Sequence, residues 1–587
     1  MKINFTKIIS SLAVCAMTVF AADAATFTAI ASGAWSSSAT WSGGTAPGIN
    51  ITGDDIIIGS GFIVDLDQDV TISSIVLVSG SLNVDGTLSS TTTGRTLTFT
   101  GGSLTGAGNI QVDRIRFQLS STLGFTGKIT ANEMENTLSL VTSSQLKVNK
   151  TGRLLGSLTI GAGGKLELGD DATLTIEGGS VATSGNGSLS LSTTYNVIYQ
   201  GGSSTSGSEL SGSGLKNLTV DVGQGNSTSL GSDVNVKGTL SLTSGTLNMN
   251  EHVLNLNGDV AATGTGVIGS SNQSDLIIAG AASLTGSLRF ASTANTVRNV
   301  TINLTGNGSY VALGSDLKIS GILNLAGGSV RTGNYTLDIM TTGSITGASK
   351  DNYIVTGASG KLGFMLTGSG NFTNYPIGTQ DRYAPAAARI VTGTNGMVRI
   401  NAINEVYSEG TTGSDMSTTE KMVKGSWNIA SDITSGLNLD VKLMWAASSE
   451  VNSFNRSSSY ISHYTASDWD VMAGAAATAE ANGMFSVTRT GLTSLSPFSV
   501  RQGTNSGVAD IARLNSISVY PNPANDYIII NNTENVNVEI MNQLGQVVKT
   551  EALNGSAPLN LSDLDRGNYF IKISSDNASV VKKFVKL

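Results

Sequence analysis

Prolines are missing from the long central part of this 587-residue chain. The seven prolines lie at positions 47, 376, 385, 497, 521, 523 and 558, so no proline occurs from Gly48 to Tyr375. Because proline cannot donate a hydrogen bond to a β-ladder, it is tolerated at edges, bulges and turns. A stretch without proline therefore indicates strands that are paired on both sides, as in a solenoid of stacked coils. A sandwich or a propeller has more loops and edges and would admit several prolines.

An internal repeat supports the same fold. The segment GTLSLTSGTLNMNEHVLNLNG begins at Gly238, and a similar segment, GILNLAGGSVRTGNYTLDIMT, begins at Gly321. The similar regions span 215–256 and 297–339, which gives a period of about 83 residues. Solenoid coils of about 20 residues fall within the known range of repeats, so one unit should form about four coils.

Each coil combines alternating aliphatic residues with a glycine corner. Leu240 and Leu242 match Leu323 and Leu325 in the two repeats. Alternate side chains of a strand point to the same face, so these residues should fill the interior and stack from coil to coil. We predict a parallel β-helix over 56–375, preceded by an N-terminal cap over 25–55 that contains Trp35 and Trp41. This region resembles the parallel β-helices of adhesins and pectate lyases.

Composition agrees with an all-β protein and excludes some partners. The chain has 71 glycines, and charged residues are 13%, against roughly 25% in typical soluble domains. Such a chain favours many short strands joined by tight turns. The net charge of −8 argues against binding to nucleic acid or to anionic membrane surfaces, because both require basic patches.

The pattern changes after residue 375. Prolines return, and short alternating segments such as LDVKLMW and YISHYTASDWDVM are separated by turns. We predict a β-sandwich over 376–503, followed by an exposed linker over 504–516. The segments YPIGTQDRYAPA and SPFSV resemble segments of modules that lie between a solenoid and a sorting domain in secreted bacterial proteins.

The last segment, 517–587, predicts a small Ig-like β-sandwich. It contains ISVYPNPANDYIII, VEIMNQLGQVVKTEAL and LDRGNYFIKI, and it finishes with VVKKFVKL. Its strands alternate with period two, and its prolines and glycines lie where turns are expected. The segment resembles the C-terminal sorting domain of the type IX secretion system. The resemblance implies export through that machinery, and it rests on Pro521, Asn522, Pro523, Asn525, Gly545, Gly567, Tyr569, Lys582, Lys583 and Lys586.

Residues 1–24 predict a signal peptide. Lys2 and Lys7 precede an apolar run from Ile8 to Phe20, and Ala22-Asp23-Ala24 fits a cleavage site. The run is too short for a spanning helix, and no later stretch approaches the required length. A lipoprotein signal at Cys15 is the alternative, but Val14 is bulkier than the residue usually required there. We expect cleavage near Ala24 and a secreted or outer-surface protein without a transmembrane segment.

Few residues have the chemistry of a catalyst. The chain has two histidines, so a histidine triad or a two-histidine metal site is disfavoured. Asp65 and Asp67 lie in the segment DLD and could hold Ca²⁺ through oxygen ligands. We favour the simpler interpretation that acidic turns keep this segment solvated. No other cofactor is expected.

Aromatic residues of the predicted sandwich offer a second candidate site. Trp469, Tyr460 and Tyr464 could stack against sugar rings if they are exposed. Trp469 is the best candidate for exposure because Asp468 and Asp470 flank it. A place in the sandwich core remains the favoured interpretation of the group.

Two classes of function remain open. The first is a non-enzymatic protein of adhesin or extracellular-matrix type that binds a polysaccharide or another cell-surface ligand. The alternative is a polysaccharide lyase or glycoside hydrolase that acts on the exterior of the β-helix. Such an enzyme needs acidic and basic residues side by side on adjacent coils. We expect the solenoid's basic residues to be scattered and therefore favour the first class; the residues concerned are Arg95, Arg114, Arg116, Lys128 and Arg153.

Overall fold

The structure is a computed structural model, and it describes residues 25–51, 53–72, 76–90, 93–118, 121–357, 359–368, 370–465, 467–503, 514–531, 535–575 and 578–587. The predicted signal peptide and positions 504–513 of the predicted linker lie outside these residues. The protein is all-β, with 55% strand, 4% helix and a β-solenoid of about 15 turns. It divides into two compact units, Met1–Asn248 with Thr263–Gly266, and Met249–Ala262 with Val267–Leu587.

The first unit is built from short strands. In chain order they are β1 (Thr26–Thr28), β2 (Gly33–Ala34), β3 (Asn50–Ile51), β4 (Asp55–Ile58), β5 (Ile63–Leu66), β6 (Val70–Ile72), β7 (Val76–Val78), β8 (Ser81–Val84), β9 (Thr87–Ser89), β10 (Thr96–Phe99), β11 (Leu104–Thr105), β12 (Asn109–Phe117), β13 (Ser121–Leu123), β14 (Lys128–Asn136), β15 (Leu140–Thr142), β16 (Gln145–Leu154), β17 (Leu158–Ile160), β18 (Lys165–Leu168), β19 (Ala172–Ile176), β20 (Val181–Thr183), β21 (Ser188–Ser190), β22 (Tyr195–Gln200), β23 (Ser204–Thr205), β24 (Leu215–Asp221), β25 (Ser227–Ser229), β26 (Val234–Val236), β27 (Thr239–Ser244) and β28 (Thr246–Asn248).

Parallel pairing from coil to coil confirms the predicted β-helix in this unit. One interior column passes through equivalent positions of successive coils, namely Ile56, Val76, Leu97, Ile115, Met134, Gly152, Leu174, Val197, Leu218 and Leu240. In a neighbouring column Phe99 and Phe117 pair directly, with their rings stacked at 5.7 Å. Repeated burial of such side chains, at roughly 1.5–3 kcal/mol each, stabilises the stack.

The segment before Asp55 joins the stack as a coil of its own. Strand β1 pairs in parallel with β4, β2 pairs with β5, and β3 pairs with β6. Trp35 and Trp41 are buried in the loop between β2 and β3, where their rings make an edge contact at 5.1 Å. Their indole N–H groups donate to the carbonyl oxygens of Gly48 and Trp35. This loop therefore packs as an ordered apolar cluster.

The second unit begins with further solenoid strands. They are β29 (Val253–Leu256), β30 (Asp259–Val260), β31 (Val267–Ser270), β32 (Asp275–Gly280), β33 (Ser287–Leu288), β34 (Phe290–Val297), β35 (Asn299–Leu304), β36 (Tyr310–Leu313), β37 (Leu317–Ile319), β38 (Ile322–Gly327), β39 (Ser329–Gly333), β40 (Thr336–Ile339), β41 (Ser344–Thr346), β42 (Ile354–Thr356) and β43 (Lys361–Leu366).

These strands form three parallel sheets, one for each face of the coil. The first contains β29, β32, β35, β38 and β41; the second contains β33, β36, β39 and β42; the third contains β34, β37, β40 and β43. Direct neighbours in the first sheet are roughly 23 residues apart along the chain, which is the length of one coil; an example is the row Leu276, Val300, Leu323 and Ile345.

The internal repeat was expected to span about four coils, but it is not a whole number of coils. Val253 in β29 and Thr336 in β40 are equivalent positions of the repeat, yet β29 and β40 belong to different sheets. The two strands are eleven strands apart, which is three full coils and two further strands. The reason is the coil length of roughly 23 residues, which exceeds the value assumed from sequence. Similar sequences therefore form different faces of the solenoid.

The segment predicted as a sandwich contains two antiparallel sheets. Its strands are β44 (Thr373–Tyr375), β45 (Ile377–Gly378), β46 (Ala386–Ile390), β47 (Gly396–Ile403), β48 (Met422–Ser431), β49 (Leu439–Ala446), β50 (Glu450–Val451), β51 (Ser459–Thr465), β52 (Asp468–Trp469), β53 (Thr478–Ala479), β54 (Met484–Leu492) and β55 (Pro497–Gln502). One sheet has the order β44-β46-β49-β54-β53, and the other runs β47-β48-β55-β51-β52, with β50 paired to β48. Strand β47 also pairs antiparallel with β43, so this sheet continues the third solenoid face. Strand β45 belongs to neither antiparallel sheet, because it pairs in parallel with β42 and ends the second solenoid sheet.

Residues 517–587 form a module of two sheets, as predicted. Its strands are β56 (Ser518–Tyr520), β57 (Tyr527–Asn531), β58 (Asn535–Met541), β59 (Val547–Asn554), β60 (Ala557–Asn560), β61 (Gly567–Ser575) and β62 (Ala578–Lys586). The sheets have the orders β56-β57-β60 and β59-β58-β61-β62. Alternate residues of both sheets, including Ile528, Ile540, Ile571 and Phe584, form one buried cluster.

Candidate functional site

The loop before β57 lies against the last strand of the chain. The Asn522 side chain donates from Nδ2 to the carbonyl oxygen of Lys583 at 3.1 Å, and its Oδ1 accepts from the Val585 N–H at 2.9 Å. The Ala524 N–H donates to the Val585 carbonyl, and the Leu587 N–H donates to the Ala524 carbonyl, both at 2.8 Å. With β61 on its other side, β62 is thus hydrogen-bonded along both edges.

Other residues of the predicted sorting signal support this module from within or from its turns. Tyr569 is buried, stacks on Phe584 at 5.6 Å, and donates from its hydroxyl to the Asp565 carbonyl. Gly545, with φ at 80°, lies in the β58–β59 turn, where a side chain would strain the backbone. Lys582 donates to the Asn515 carbonyl at 2.8 Å.

The remaining residues of this group lie on the surface or at a strand start. Pro521, Pro523 and Asn525 are exposed in the loop around Asn522. Gly567 begins β61, and Lys583 and Lys586 lie on β62. The structure thus brings the first and the last of the sequence-predicted residues to one edge of the module.

The aromatic candidates of the sandwich are core residues. Trp469 is 3% exposed and Tyr460 is 6% exposed, while Tyr464 is half-buried against Trp469 with ring centroids 5.5 Å apart. Trp469, the candidate for exposure, is therefore buried, in line with the favoured interpretation of a place in the core. Its indole N–H donates to the Tyr407 carbonyl at 2.8 Å, and it packs in a cluster with Val406 and Met422.

The two aspartates considered for calcium are both exposed. Asp65 lies on β5, whereas Asp67 follows that strand and accepts hydrogen bonds from the N–H and hydroxyl groups of Ser36. Burial would raise the pKa of Asp67, but the hydrogen bonds from Ser36 outweigh it and lower the pKa. Within the described residues, no three His, Cys, Asp or Glu side chains group in a way that could hold a metal ion.

Arginines of the first unit form a ladder, which corrects the expectation that they are scattered. Arg116, Glu135 and Arg153 occupy one row on the adjacent strands β12, β14 and β16. Arg153 contacts Glu135 at 3.3 Å and Glu177 at 2.7 Å, and Arg114 pairs with Glu133 at 2.6 Å in the next row. Parallel stacking produces this arrangement, because residues about one coil apart in sequence become direct neighbours. Each arginine of the ladder is neutralised by a glutamate.

The described carboxyl groups whose pKa departs from its ordinary value are all shifted downwards. They are Asp67, Asp113, Glu167, Asp171, Glu177, Asp275, Asp415, Asp470, Glu480 and Asp563. In Glu177 the hydrogen bond from Arg153 lowers the pKa. A glycosidase requires a carboxylic acid with a raised pKa to protonate the leaving group. In these residues hydrogen bonds and ion pairs instead favour the ionised carboxylate.

A cleft of the second unit lies beside β41. Strand β41 ends the first solenoid sheet, and the next strand that could extend this sheet, β44, pairs instead with β46 of the sandwich. A cleft of about 780 Å³ lies where a further strand of that sheet would be expected, between β41 and the sandwich. Ligand sites commonly occur in concavities of this size between structural layers.

The cleft combines apolar, amide and charged groups. Four half-buried methionines line it, together with two tyrosines and three asparagines: Met340, Met365, Met444, Met484, Tyr375, Tyr383, Asn371, Asn374 and Asn482. Methionine and tyrosine present adaptable apolar surface, and asparagine both donates and accepts hydrogen bonds. This composition suits the binding of a ligand with both apolar faces and hydroxyl groups.

The charged residues of the cleft are paired. Lys442 contacts Glu480 at 3.2 Å, and Arg389 contacts Asp440 at 2.7 Å. The hydrogen bond from Ser486 and the one from Lys442 lower the pKa of Glu480. Arg389 also lies over the Phe372 ring, 4.6 Å from its centroid. The cleft therefore has little net charge at neutral pH, and Glu480 stays ionised.

Sequence reasoning did not find this cleft. Its methionines are spread from position 340 to 484, so no local motif joins them. The segment YPIGTQDRYAPA did carry a signal, because Tyr375, Pro376, Tyr383 and Pro385 all line the cleft.

Comparison with known proteins identifies the terminal module. The family described as "Secretion system C-terminal sorting domain" matches residues 518–587. No curated protein matches the chain in sequence. No helix among the described residues is long and apolar enough to cross a bilayer. Residues 518–587 are a type IX secretion C-terminal sorting domain, and the chain is a β-solenoid protein sorted for export by that route.

Proposed function

We propose that the exported protein acts as a non-enzymatic, adhesin-like or matrix protein that binds a polysaccharide in the cleft beside β41. The cleft is the observation that carries this proposal. The surfaces of its methionines and of Tyr383 suit the apolar faces of sugar rings, and Asn371, Asn374 and Asn482 suit their hydroxyl groups. The paired charges of Lys442 and Glu480 add polar contacts without a strong field.

Glycan binding by the full chain tests the proposal. Binding to an array of polysaccharides should fall at least tenfold in Asn374→Trp, because Asn374 is exposed on β44 and a large ring there would fill the cleft. Asn109→Trp, at an exposed position of β12, is the matched control and should bind like the wild type. Equal binding by the wild type and by Asn374→Trp would exclude the cleft as the site.

A polysaccharide lyase or hydrolase is the alternative, and the arginine–glutamate ladder favours it. The ladder places acidic and basic side chains on adjacent coils, as such an enzyme requires. Depolymerisation of pectin, alginate and other acidic polysaccharides, with calcium added, tests this alternative. Release of reducing or unsaturated ends by the wild type, lost in Arg153→Met, would establish the enzyme and overturn the non-enzymatic proposal.

We further propose the maturation route of the chain. Residues 1–24 act as a signal peptide cleaved near Ala24, and the linker 504–516 separates the exported part from the sorting domain. The residues from Pro521 to Lys586 named above act as the sorting signal. In this route a cut in the linker removes the sorting domain. Mass spectrometry of the secreted protein tests both cleavage positions, and a mature chain that retains 517–587 would contradict removal of the sorting domain.

A further inference from the structure

A shallow groove crosses the outer surface of the first solenoid sheet in the second unit. It has a volume of about 430 Å³ and extends over β29, β32, β35, β38 and β41. The residues that carry the argument are Asp275, Ile277, Thr301, Ile322, Asn324 and Thr346. Outward side chains of a parallel sheet form rows, so this surface repeats itself from coil to coil.

Two rows of side chains form the floor of the groove. In the first row Asp275 and Asn299 precede Ile322 and Ser344, and in the second row Ile277 is followed by Thr301, Asn324 and Thr346. The Thr346 hydroxyl donates to Asn324 Oδ1 at 3.4 Å, which leaves the Asn324 amide hydrogens for a ligand. Ile322 is 46% exposed. The groove thus alternates apolar surface with hydroxyl and amide groups.

The groove carries little net charge. Arg298 binds Asp275 through two hydrogen bonds, at 2.9 and 2.7 Å. Burial would raise the pKa of Asp275, but these bonds and the charge of Arg298 lower it. At neutral pH the carboxylate and the guanidinium neutralise each other, so the groove offers no attraction to a strongly charged polymer.

Strand β41 connects the groove with the cleft. Ser344 and Ile345 line the cleft, and Thr346, in the same strand, lines the groove. The five strands are separated by four steps of about 4.8 Å, which gives the groove a length of roughly 19 Å across the strands. An added peptide strand would instead run parallel to β41, along its edge.

We infer that the groove and the cleft form one elongated track for a linear, uncharged polysaccharide that runs across the strands. Successive sugar residues contact successive coils, with their apolar faces on Ile277 and Ile322 and their hydroxyl groups on Thr301 and Asn324. This inference rests on the proposed function, because the cleft forms one end of the track.

Binding of oligosaccharides of increasing length to the full chain tests the inference. The probes are neutral β-linked and α-linked glucan oligomers from the dimer to the decamer, measured by calorimetry. Affinity should rise at least tenfold from the shortest to the longest oligomers and then reach a plateau. Asn324→Trp and Thr301→Arg should lose this gain while they bind the short oligomers like the wild type.

The control variants separate the track from the cleft. Lys318→Trp, at an exposed position of β37 on another face, should keep the gain with length. Asn374→Trp should weaken binding at every length. Affinity that is independent of length, or unaffected by both groove variants, would overturn the track and leave the cleft in place. If no glucan binds, the track for an uncharged polymer is overturned; binding of another polysaccharide on the array would then still support the cleft.

Discussion

The side chain of Asn522 is hydrogen-bonded to the main chain of Val585 on the last strand of the chain. The Val585 N–H donates to Asn522 Oδ1 at 2.9 Å, and the Asn522 amide donates to the neighbouring Lys583 carbonyl. One side chain thereby occupies two backbone groups on the outer edge of the final strand. Unpaired strand edges are sites of unwanted pairing between chains, so the loop protects this edge.

Asn522→Ala should loosen the final strand of the sorting domain. Loss of two hydrogen bonds to the backbone should cost about 1–2 kcal/mol of local stability. Hydrogen exchange at the Val585 amide should accelerate about tenfold, and mass spectrometry of C-terminal peptides can measure it. Asn537→Ala, at an exposed position of β58, should leave this exchange unchanged. Equal exchange in both variants would contradict the role of Asn522.

The ion pair between Asp338 and Arg399 should stabilise the junction of β40 and β47. Asp338 has a 4% exposed side chain and accepts two hydrogen bonds from Arg399, at 2.9 and 2.7 Å. Asp338→Asn leaves a largely buried guanidinium without its counter-charge and should lower the free energy of unfolding by about 3 kcal/mol.

Denaturant titration can measure this loss, and a second aspartate offers the control. Asp351 pairs with Lys350 on the surface, where both side chains are more than 70% exposed. Asp351→Asn should therefore change the free energy of unfolding by less than about 0.5 kcal/mol. Similar effects of the two substitutions would show that Asp338 does not stabilise the junction.

Two adjacent residues of β38 should differ sharply in their effect on stability. Leu323 is buried in the solenoid interior next to Val300, whereas Ile322 is 46% exposed on the outer face. Leu323→Ala should cost about 2–5 kcal/mol, because it removes buried methyl groups and leaves a cavity. Ile322→Ala should cost less than about 1 kcal/mol. Thermal unfolding followed by circular dichroism tests the difference, and a larger effect at Ile322 would contradict the register.

His463 should make the sandwich less stable in acid. It is 3% exposed and stacks on Phe498 at 4.2 Å. Burial lowers the pKa of His463, Arg489 lowers it further, and Asp470 opposes this only in part. The unfolded state, with a pKa of about 6.5, binds a proton more readily than the folded state. The free energy of unfolding should therefore fall as the pH decreases below about 6.5.

Tryptophan fluorescence during urea unfolding at pH 7.5 and pH 5.5 can measure this decrease. His463→Gln removes the titrating group, so its unfolding midpoint should change less between the two pH values than that of the wild type. An equal change in the variant and in the wild type would assign the pH dependence to other groups.

Local patterns predicted the class of fold well. The absence of proline from Gly48 to Tyr375 allows regular strand pairing, and strands such as β5 and β22 keep the alternation of aliphatic residues in the structure. The fold of the final module could also be predicted from its sequence, because its turns require proline and glycine at particular positions. Its sandwich of two sheets and its family are as predicted.

The sequence did not predict which strands lie on the same face of the solenoid. The internal repeat led to a prediction of four coils, whereas β29 and β40 lie on different faces. A sequence period reports similarity between segments, but the length of each coil decides which segments become neighbours. The arginine ladder escaped prediction for the same reason, since Arg116 and Arg153 meet Glu135 only through the coil-to-coil register.

The strands, the apolar interior and the sorting domain could be predicted from the sequence, because they depend on residues close together in the chain. The place where a ligand could bind depends on contacts between distant residues. The cleft exists because β44 joins the sandwich and does not extend the first solenoid sheet, and this brings Met340, Asn374 and Glu480 together around the edge of β41. Burial of Trp469 was decided in the same way, by distant residues such as Val406 and Met422 that pack against it.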